Sequence, residues 1–381
     1  MNHLLEKIDE LMKEGGDFAY FCSFEGEDKL DGKESLFFNG QSISINSIRE
    51  LRELAGEQCP VILTFGMISD VYSNISVEEK NWPKGYCIIN SRKIEGNFRR
   101  NEAFQQFTPI FTELDTEYME SVEKSVKRIR NGELLQVVLS REISVGNISL
   151  IPTLEYFLTH DRSAYVFFFK IGKNILMGSS PESLVKLQNR KCLINPIAGT
   201  RPISGNGKTF NQIYQELLSD EKELLEHRML VDLARNDLGK VSVPGTVKVV
   251  KSHYIKKFAS VIHILSDVES LIRNDLDAAD LLQAVFPAGT VSGAPKERAL
   301  ELILEYEKGE RGPYSGAAGI YSNSYIDMAL CIRSLYTMNG EIVTRAGAGI
   351  VKDSVPENEN REVFAKAATV LGGVQNESVI D

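Results

Sequence analysis

The chain has 381 residues, 43% of them apolar and 25% charged, which is ordinary for a globular protein and sufficient to bury a sizeable core in one large domain or two modest ones. A formal net charge of -10 with no long Lys/Arg run argues against nucleic acid or an anionic membrane as the main partner, and an acidic balance suits a cation site. No apolar run reaches the roughly 18 residues of a membrane span, and the five scattered cysteines carry neither zinc spacing nor a disulfide framework, so the cytoplasm is the expected compartment.

The opening stretch MNHLLEKIDELMKEGG sets Leu4, Leu5, Ile8, Leu11 and Met12 at helical spacing with charges between them, an amphipathic helix and not a secretory leader. The rest of residues 1–105 reads as a short, irregular α+β region with β-like runs at 19–23, 61–65 and 86–89. From Asp115 a charged segment reads as a surface helix closed by Asn131-Gly132, and LLQVVLSREISV follows as a buried strand. AYVFFFKIG, ILMGSS, LVKLQ and KCLINPI then repeat short strand signals, which suggests antiparallel sheets. Between Asn211 and Asp237 apolar residues recur every three or four positions, marking one or two helices that stop at Gly239. A last helix should open at Ser354, with Glu357 completing a capping box, and end at Gly372-Gly373. Strand runs with helices inserted between them, lacking βαβ alternation, favour an α+β fold.

Glu223-x-x-Glu226 lies mid-helix, where residues three apart share a face. Glu359-x-x-Glu362, with Lys366 four residues further, repeats the arrangement on the last helix. Four carboxylates without His or Cys beside them suit a hard, oxygen-preferring cation such as Mg²⁺, although Glu pairs at this spacing are more often solvated surface and spacing alone does not decide. Ala346-Gly347-Ala348-Gly349 offers a backbone that a substrate can approach closely, or a turn or bulge between strand and loop. It is not a dinucleotide fingerprint. FPAGTVSGAPK at 286–296 lacks the ending of a phosphate loop, which excludes a nucleotide hydrolase.

Together these stretches resemble the chorismate-utilising enzymes, a family that includes anthranilate, aminodeoxychorismate, isochorismate and salicylate synthases. The resemblance runs over LLQVVLS (134–140), GSSPE (178–182), PIAGTR (196–201), KELLEH (222–227), MLVDLARNDLG (229–239), 286–296, RGPYSG (311–316) and 346–362, most of residues 115–370 in the family's order. It implies two large antiparallel sheets in an α/β sandwich with surrounding helices, with a catalytic chorismate-binding region at 106–381 and a reduced regulatory-type region at 1–105 sharing that sandwich.

By the same resemblance Glu226 and Glu362 would ligate Mg²⁺, and Glu223 and Glu359 would hold its waters. The ion would clamp the ring carboxylate of chorismate. Gly199 and Thr200 would bind that carboxylate too, while Tyr314, Arg333 and the backbone of the 347–349 segment (Gly347, Ala348, Gly349) would hold the pyruvyl carboxylate. Glu182 matches the acid that protonates the leaving hydroxyl, His263 the histidine associated with pyruvate loss, and Thr290 a residue lining the ring site. A lone histidine is equally at home as hydrogen-bonded core, and Thr290 as a loop-shaping residue.

Two positions separate the members. Water-using isochorismate and salicylate synthases place a lysine base where this chain has Gln136, and aminodeoxychorismate synthase places a nucleophilic lysine where it has Ala198. What remains is direct addition of ammonia, the chemistry of the family's anthranilate synthases, which opens tryptophan biosynthesis; another chorismate enzyme, chiefly aminodeoxychorismate synthase, is the alternative. A non-catalytic descendant of the fold is a further rival, against which the intact carboxylates, Glu182, His263 and Arg333 speak. A glycosidase fits i,i+3 carboxylate pairs poorly. No cysteine sits in a Gly-x-Cys-x-Gly glutaminase context, so a separate glutamine amidotransferase subunit, two of each chain in a heterotetramer, is the expected ammonia source. The effector marks are blurred: Tyr20-Phe-Cys-Ser23 lacks the acidic residue of tryptophan-inhibited relatives, and the second mark reads Asp161-Arg-Ser-Ala-Tyr165. Losing a charge-assisted contact worth ~1.5–3 kcal/mol leaves Ser23 and Tyr165 to line a weak tryptophan site at best.

Overall fold

Apolar runs too short for helices and bounded by turns become strands here. The computed structural model describes residues 3–25, 29–54, 57–100, 114–203, 209–257 and 261–374, and its strands form two large sheets. The first has nine strands in the spatial order Gly293–Ala294, Gln136–Ser144, Glu341–Ile350, Ser334–Met338, Asn174–Ser180, Tyr165–Ile171, Phe18–Phe24, Asp31–Phe38, Arg92–Arg99. The second runs Ile197–Pro202, Val261–Leu271, Lys191–Ile194, Ser183–Gln188, Tyr325–Leu330, Ala317–Ser322, Cys59–Leu63, Gly85–Ile89, Gln41–Ile45, with Lys248–Lys257 paired to Val261–Leu271 as its tenth strand. Every described pairing is antiparallel.

The inner faces meet in a core where Phe21, Phe167 and Tyr336 of the first sheet pack with Ile62, Ile320 and Ala329 of the second. The outer face of the first sheet is covered by helices His3–Glu14 and Leu150–His160 through Leu4, Ile8, Leu154 and Phe157. Strand Tyr165–Ile171 is therefore buried on both sides, with Phe167 and Phe169 inward and Val166 and Phe168 outward, which is why it reads as a continuous apolar run. The fold is α+β, as its sequence pattern implies, and no described helix is long and apolar enough to cross a membrane.

Two expectations are corrected. The first hundred residues are not irregular: they contribute six strands, three to each sheet. The runs at 19–23, 61–65 and 86–89 fall on or against real strands, but Asp31–Phe38, Gln41–Ile45 and Arg92–Arg99 went unread. Arg92–Arg99 is an edge strand with half its residues exposed and charged, a composition that guards an edge against further pairing and also hides it from a hydrophobic pattern. The expected boundary at residues 105 and 106 lies outside the described residues. Second, the last helix is Pro356–Leu371 with Val355 as its N-cap and Pro at its first turn, and no side chain caps it. Ser354 Oγ instead accepts the Val351 N–H at 3.0 Å, so the capping box does not form.

Three placements matter for the site. Helix Glu221–Gly239 packs on Ile197–Pro202 and Val261–Leu271 at the edge of the second sheet. Helix Pro356–Leu371 packs on Glu341–Ile350 and on helix Thr116–Arg130, whose first turn Asp115 caps by accepting the Tyr118 N–H at 2.9 Å. The short helix Gly289–Ser292 and the two-residue strand Gly293–Ala294 close onto Gln136–Ser144.

Candidate active site

The Ala-Gly-Ala-Gly segment is neither turn nor bulge but the middle of strand Glu341–Ile350, which pairs with Gln136–Ser144 through Ile350 yet with Ser334–Met338 only as far as Thr344. Gly347 lies opposite Ser140 and Gly349 opposite Val138. The Ser140 N–H goes to Glu307 at 2.6 Å and the Val138 carbonyl accepts from Arg311 at 2.8 Å, both away from Glu341–Ile350. These are therefore non-hydrogen-bonded pairs, in which each glycine turns its own N–H and C=O to the opposite edge. Lys366 Nζ indeed donates to the Gly347 carbonyl there, at 3.1 Å. The edge beyond Thr344 is thus a row of backbone groups facing a cleft. Side chains crowd both glycines: a Cβ at 347 would sit 2.6 Å from Tyr314 Oη, and one at 349 would sit 2.6 Å from Gln136 Nε2.

Across the cleft, strand Ile197–Pro202 shifts register between Ala198 and Thr200 because Gly199 takes φ +63, a conformation glycine adopts without penalty. The bulge sets the Gly199 carbonyl 3.0 Å from His263 Nδ1. A carbonyl only accepts, so the proton sits on Nδ1 and Nε2 carries the lone pair. Burial, with Arg333 and Lys366 adding to it, lowers the His263 pKa to about 4, so the ring is neutral at physiological pH. The Thr200 side chain lies outside the described residues, and its backbone pairs with His263.

Glu182 immediately precedes the strand Ser183–Gln188, and its Oε1 accepts from Thr290 Oγ at 2.8 Å. Burial raises its pKa to about 7 against the pull of Thr290, Lys366 and Arg333. Arg333 adopts φ +48, a left-handed conformation that a long side chain enters only when its surroundings impose it, and burial lowers its pKa against the support of Asp161 and Glu182. Tyr314 follows Arg311, whose buried guanidinium bridges Glu307, Ser315 and the carbonyls of Val138 and Val291.

The two carboxylate pairs come from different helices, and Glu223, Glu226 and Glu362 lie close enough to act on one another. Glu226 is raised above the usual carboxylate range by burial and by Glu223 and Glu362, while Gln136 and Lys366 oppose the shift. Its Oε1 accepts from Gln136 Nε2 at 3.0 Å, and Gln136 Oε1 is buried without a partner. Glu223 accepts from Arg201 at 2.9 Å, Glu362 pairs with Lys366 at 2.7 Å, and Glu359 is buried. Among the described residues no three His, Cys, Asp or Glu side chains converge tightly enough to hold an ion as they stand. The carboxylates are instead engaged by an amide, a guanidinium and an ammonium. Arg201 is the residue sequence reasoning missed: it lies inside a motif, but its partners Asp220 and Glu223 are 19 and 22 positions away, with no local signal to link them.

Ser23 and Tyr165 are direct cross-strand partners. Tyr165 packs in the inner core, where its Oη donates to Asp327 Oδ1 at 2.9 Å and Lys186 sits 5.3 Å over its ring.

A family model described as chorismate binding enzyme matches residues 75–372. The chain is 42% identical to "Anthranilate synthase component 1" of Aeropyrum pernix, over 71% of this chain and 63% of that protein. It is 40% identical to the protein of the same name from Methanothermobacter thermautotrophicus, over 82% of this chain and 67% of that one. It thus spans about three fifths to two thirds of the length of these relatives. Among solved structures it is similar to anthranilate synthase component I from Streptococcus pneumoniae, with TM-score 0.74 and 28% identity over 93% of this chain and 92% of that one. A putative 2,3-dihydroxybenzoate-specific isochorismate synthase from Bacillus anthracis shares the fold with TM-score 0.76 at 24% identity, covering 97% and 99% of the two chains.

Proposed function

The chain belongs to the chorismate binding enzymes, and on that footing we propose that it is the chorismate-converting component of an anthranilate synthase, adding ammonia to chorismate and releasing pyruvate. The observation that carries this reading is Gln136, a buried neutral amide held by Glu226, in the position where water-using relatives need a base. An amide does not activate water, whereas ammonia brings its own lone pair. Ala198, buried and without a nucleophile, speaks against the aminodeoxychorismate alternative.

In this reading Arg333, Tyr314 and the open backbone edge at Gly347 and Gly349 bind the pyruvyl carboxylate, a planar guanidinium fork matching a planar anion. Glu182, held protonated into the neutral range by burial and oriented by Thr290, gives its proton to the C4 oxygen as the C4–O bond breaks and the amine nitrogen bonds to C2. His263, neutral and with its Nδ1 proton fixed on Gly199, presents Nε2 for the proton that must leave C2 as pyruvate departs.

The donor set fits Mg²⁺: four carboxylates from two helices, one of them raised in pKa by burial and by its acidic neighbours, with Gln136 and Lys366 now donating to two of them. Glu226 and Glu362 would hold the ion and Glu223 and Glu359 its waters, Gln136 and Lys366 giving way. Bound, the ion supplies a Lewis-acid clamp on the ring carboxylate. A glutamine amidotransferase subunit is the proposed ammonia source, supported by the component naming of the relatives.

The test is to incubate the purified chain with chorismate, an ammonium salt and Mg²⁺ and follow anthranilate fluorescence. Anthranilate formation that stops on chelation is expected; isochorismate, salicylate or aminodeoxychorismate as product would sink the reading.

A further inference from the structure

Helix Glu221–Gly239 carries a second buried acid that no step above uses. Asp237 is ion-paired with Lys296 of helix Lys296–Tyr306, each less than a tenth exposed, and Lys296 also donates to the Val285 carbonyl at 3.0 Å. A buried pair adds little net stability over apolar residues of the same size, so its presence asks for another role. Asp237 has a further connection: its Oδ1 accepts from Lys240 Nζ at 3.1 Å, and the Lys240 side chain is 55% exposed.

Asp237 and Glu182 line one cavity of about 30 Å³, together with Thr290 and walled by Leu184, Leu230 and Ala234. That volume takes one water, and both carboxylate-bearing residues are among its lining. The groups bearing on Glu182 are Thr290, Lys366 and Arg333, and those bearing on Asp237 are Lys296, Lys240 and Tyr72.

Each turnover leaves Glu182 as a carboxylate behind a cleft filled by substrate or product. We propose that the cavity holds a relay water that returns the proton to Glu182 from the rear, with Asp237 anchoring the water and Lys240 joining it to bulk solvent. This rests on the acid role given to Glu182 above. In the relay a water O–H breaks as the Glu182 O–H forms. The water oxygen takes a proton through the Asp237 carboxylate from the Lys240 ammonium, which regains one from solvent, so no charge is left in the interior. Asp237 acts through Glu182 and is a positioning residue.

The decisive variant is Ala234→Val, which fills the cavity and leaves both carboxylates and the ion pair in place. Asp237→Asn is the second. With chorismate, ammonium and Mg²⁺, a positioned acid contributes on the order of 10²–10⁴ in rate, of which we expect each variant to lose at least about tenfold in kcat. KM for chorismate should stay near wild type, the solvent deuterium isotope effect on kcat should rise, and added imidazolium should restore part of the rate. An unchanged kcat and isotope effect in Ala234→Val would mean that Glu182 is recharged through the cleft and overturns the relay. So would a loss of kcat with raised KM and no change in isotope effect. If Asp237→Asn does not fold with Lys296 left unpaired, Ala234→Val decides alone. Glu182→Gln separates the two ideas: wild-type kcat in that variant sinks the acid role itself, whereas a failed relay leaves it inactive beside a fast Ala234→Val.

Discussion

Glu182, Arg333 and His263 share one cleft, and burial moves each toward its neutral form: Glu182 up to about 7, His263 down to about 4, and Arg333 below its ordinary value. An acid that works as a proton donor must be protonated, so kcat/KM at fixed free ammonia should fall as pH rises through about 7. Thr290 donates to the ionised carboxylate and holds this pKa down, hence Thr290→Val should shift the falling limb upward, by about one unit for a bond worth ~1.5 kcal/mol. A pH–rate profile that moves down or not at all would remove Thr290 from that role. The carboxylate pairs were legible in the sequence because three residues on a helix nearly complete a turn. That Glu226 meets Gln136 was not, since the two are 90 positions apart.

At the scale of elements, the segment carrying Tyr314 is clamped by the first hundred residues. Glu79 accepts the Gly312 N–H at 2.8 Å and the Gly66 N–H at 3.3 Å, and Glu310 accepts from the Lys80 and Asn81 backbones. Glu79→Ala leaves a buried N–H unpaired, which should cost about 1–3 kcal/mol in a denaturant titration. By loosening Tyr314 it should also raise KM for chorismate several-fold with a smaller effect on kcat; an unchanged KM would show that the loop holds its shape without the clamp. The helical stretch ending at Gly239 was legible from apolar residues recurring every three or four positions, but not its division into two helices, Phe210–Ser219 and Glu221–Gly239. Polar edge strands were not, because their stability comes from backbone pairing with a neighbour and not from a pattern of their own.

Across the whole molecule the two sheets interleave strands from the start and the end of the chain, so Tyr165 and Tyr314 share one continuous inner core. Tyr165 spends its hydroxyl on Asp327 inside that core, and in a steady-state assay tryptophan should inhibit weakly. Tight inhibition competitive with chorismate would show that the Ser23–Tyr165 region opens. The sequence by itself determined the α+β class and the family and put forward the candidate site residues, since these rest on local patterns and on motifs kept in order along the chain. Only the tertiary structure decided which glycine edges face the cleft, that Arg201, Gln136 and Lys366 hold the carboxylates, and that Asp237 and Glu182 share a cavity. Those facts depend on strand register and on contacts between residues far apart in the chain, and neither leaves a mark in local spacing.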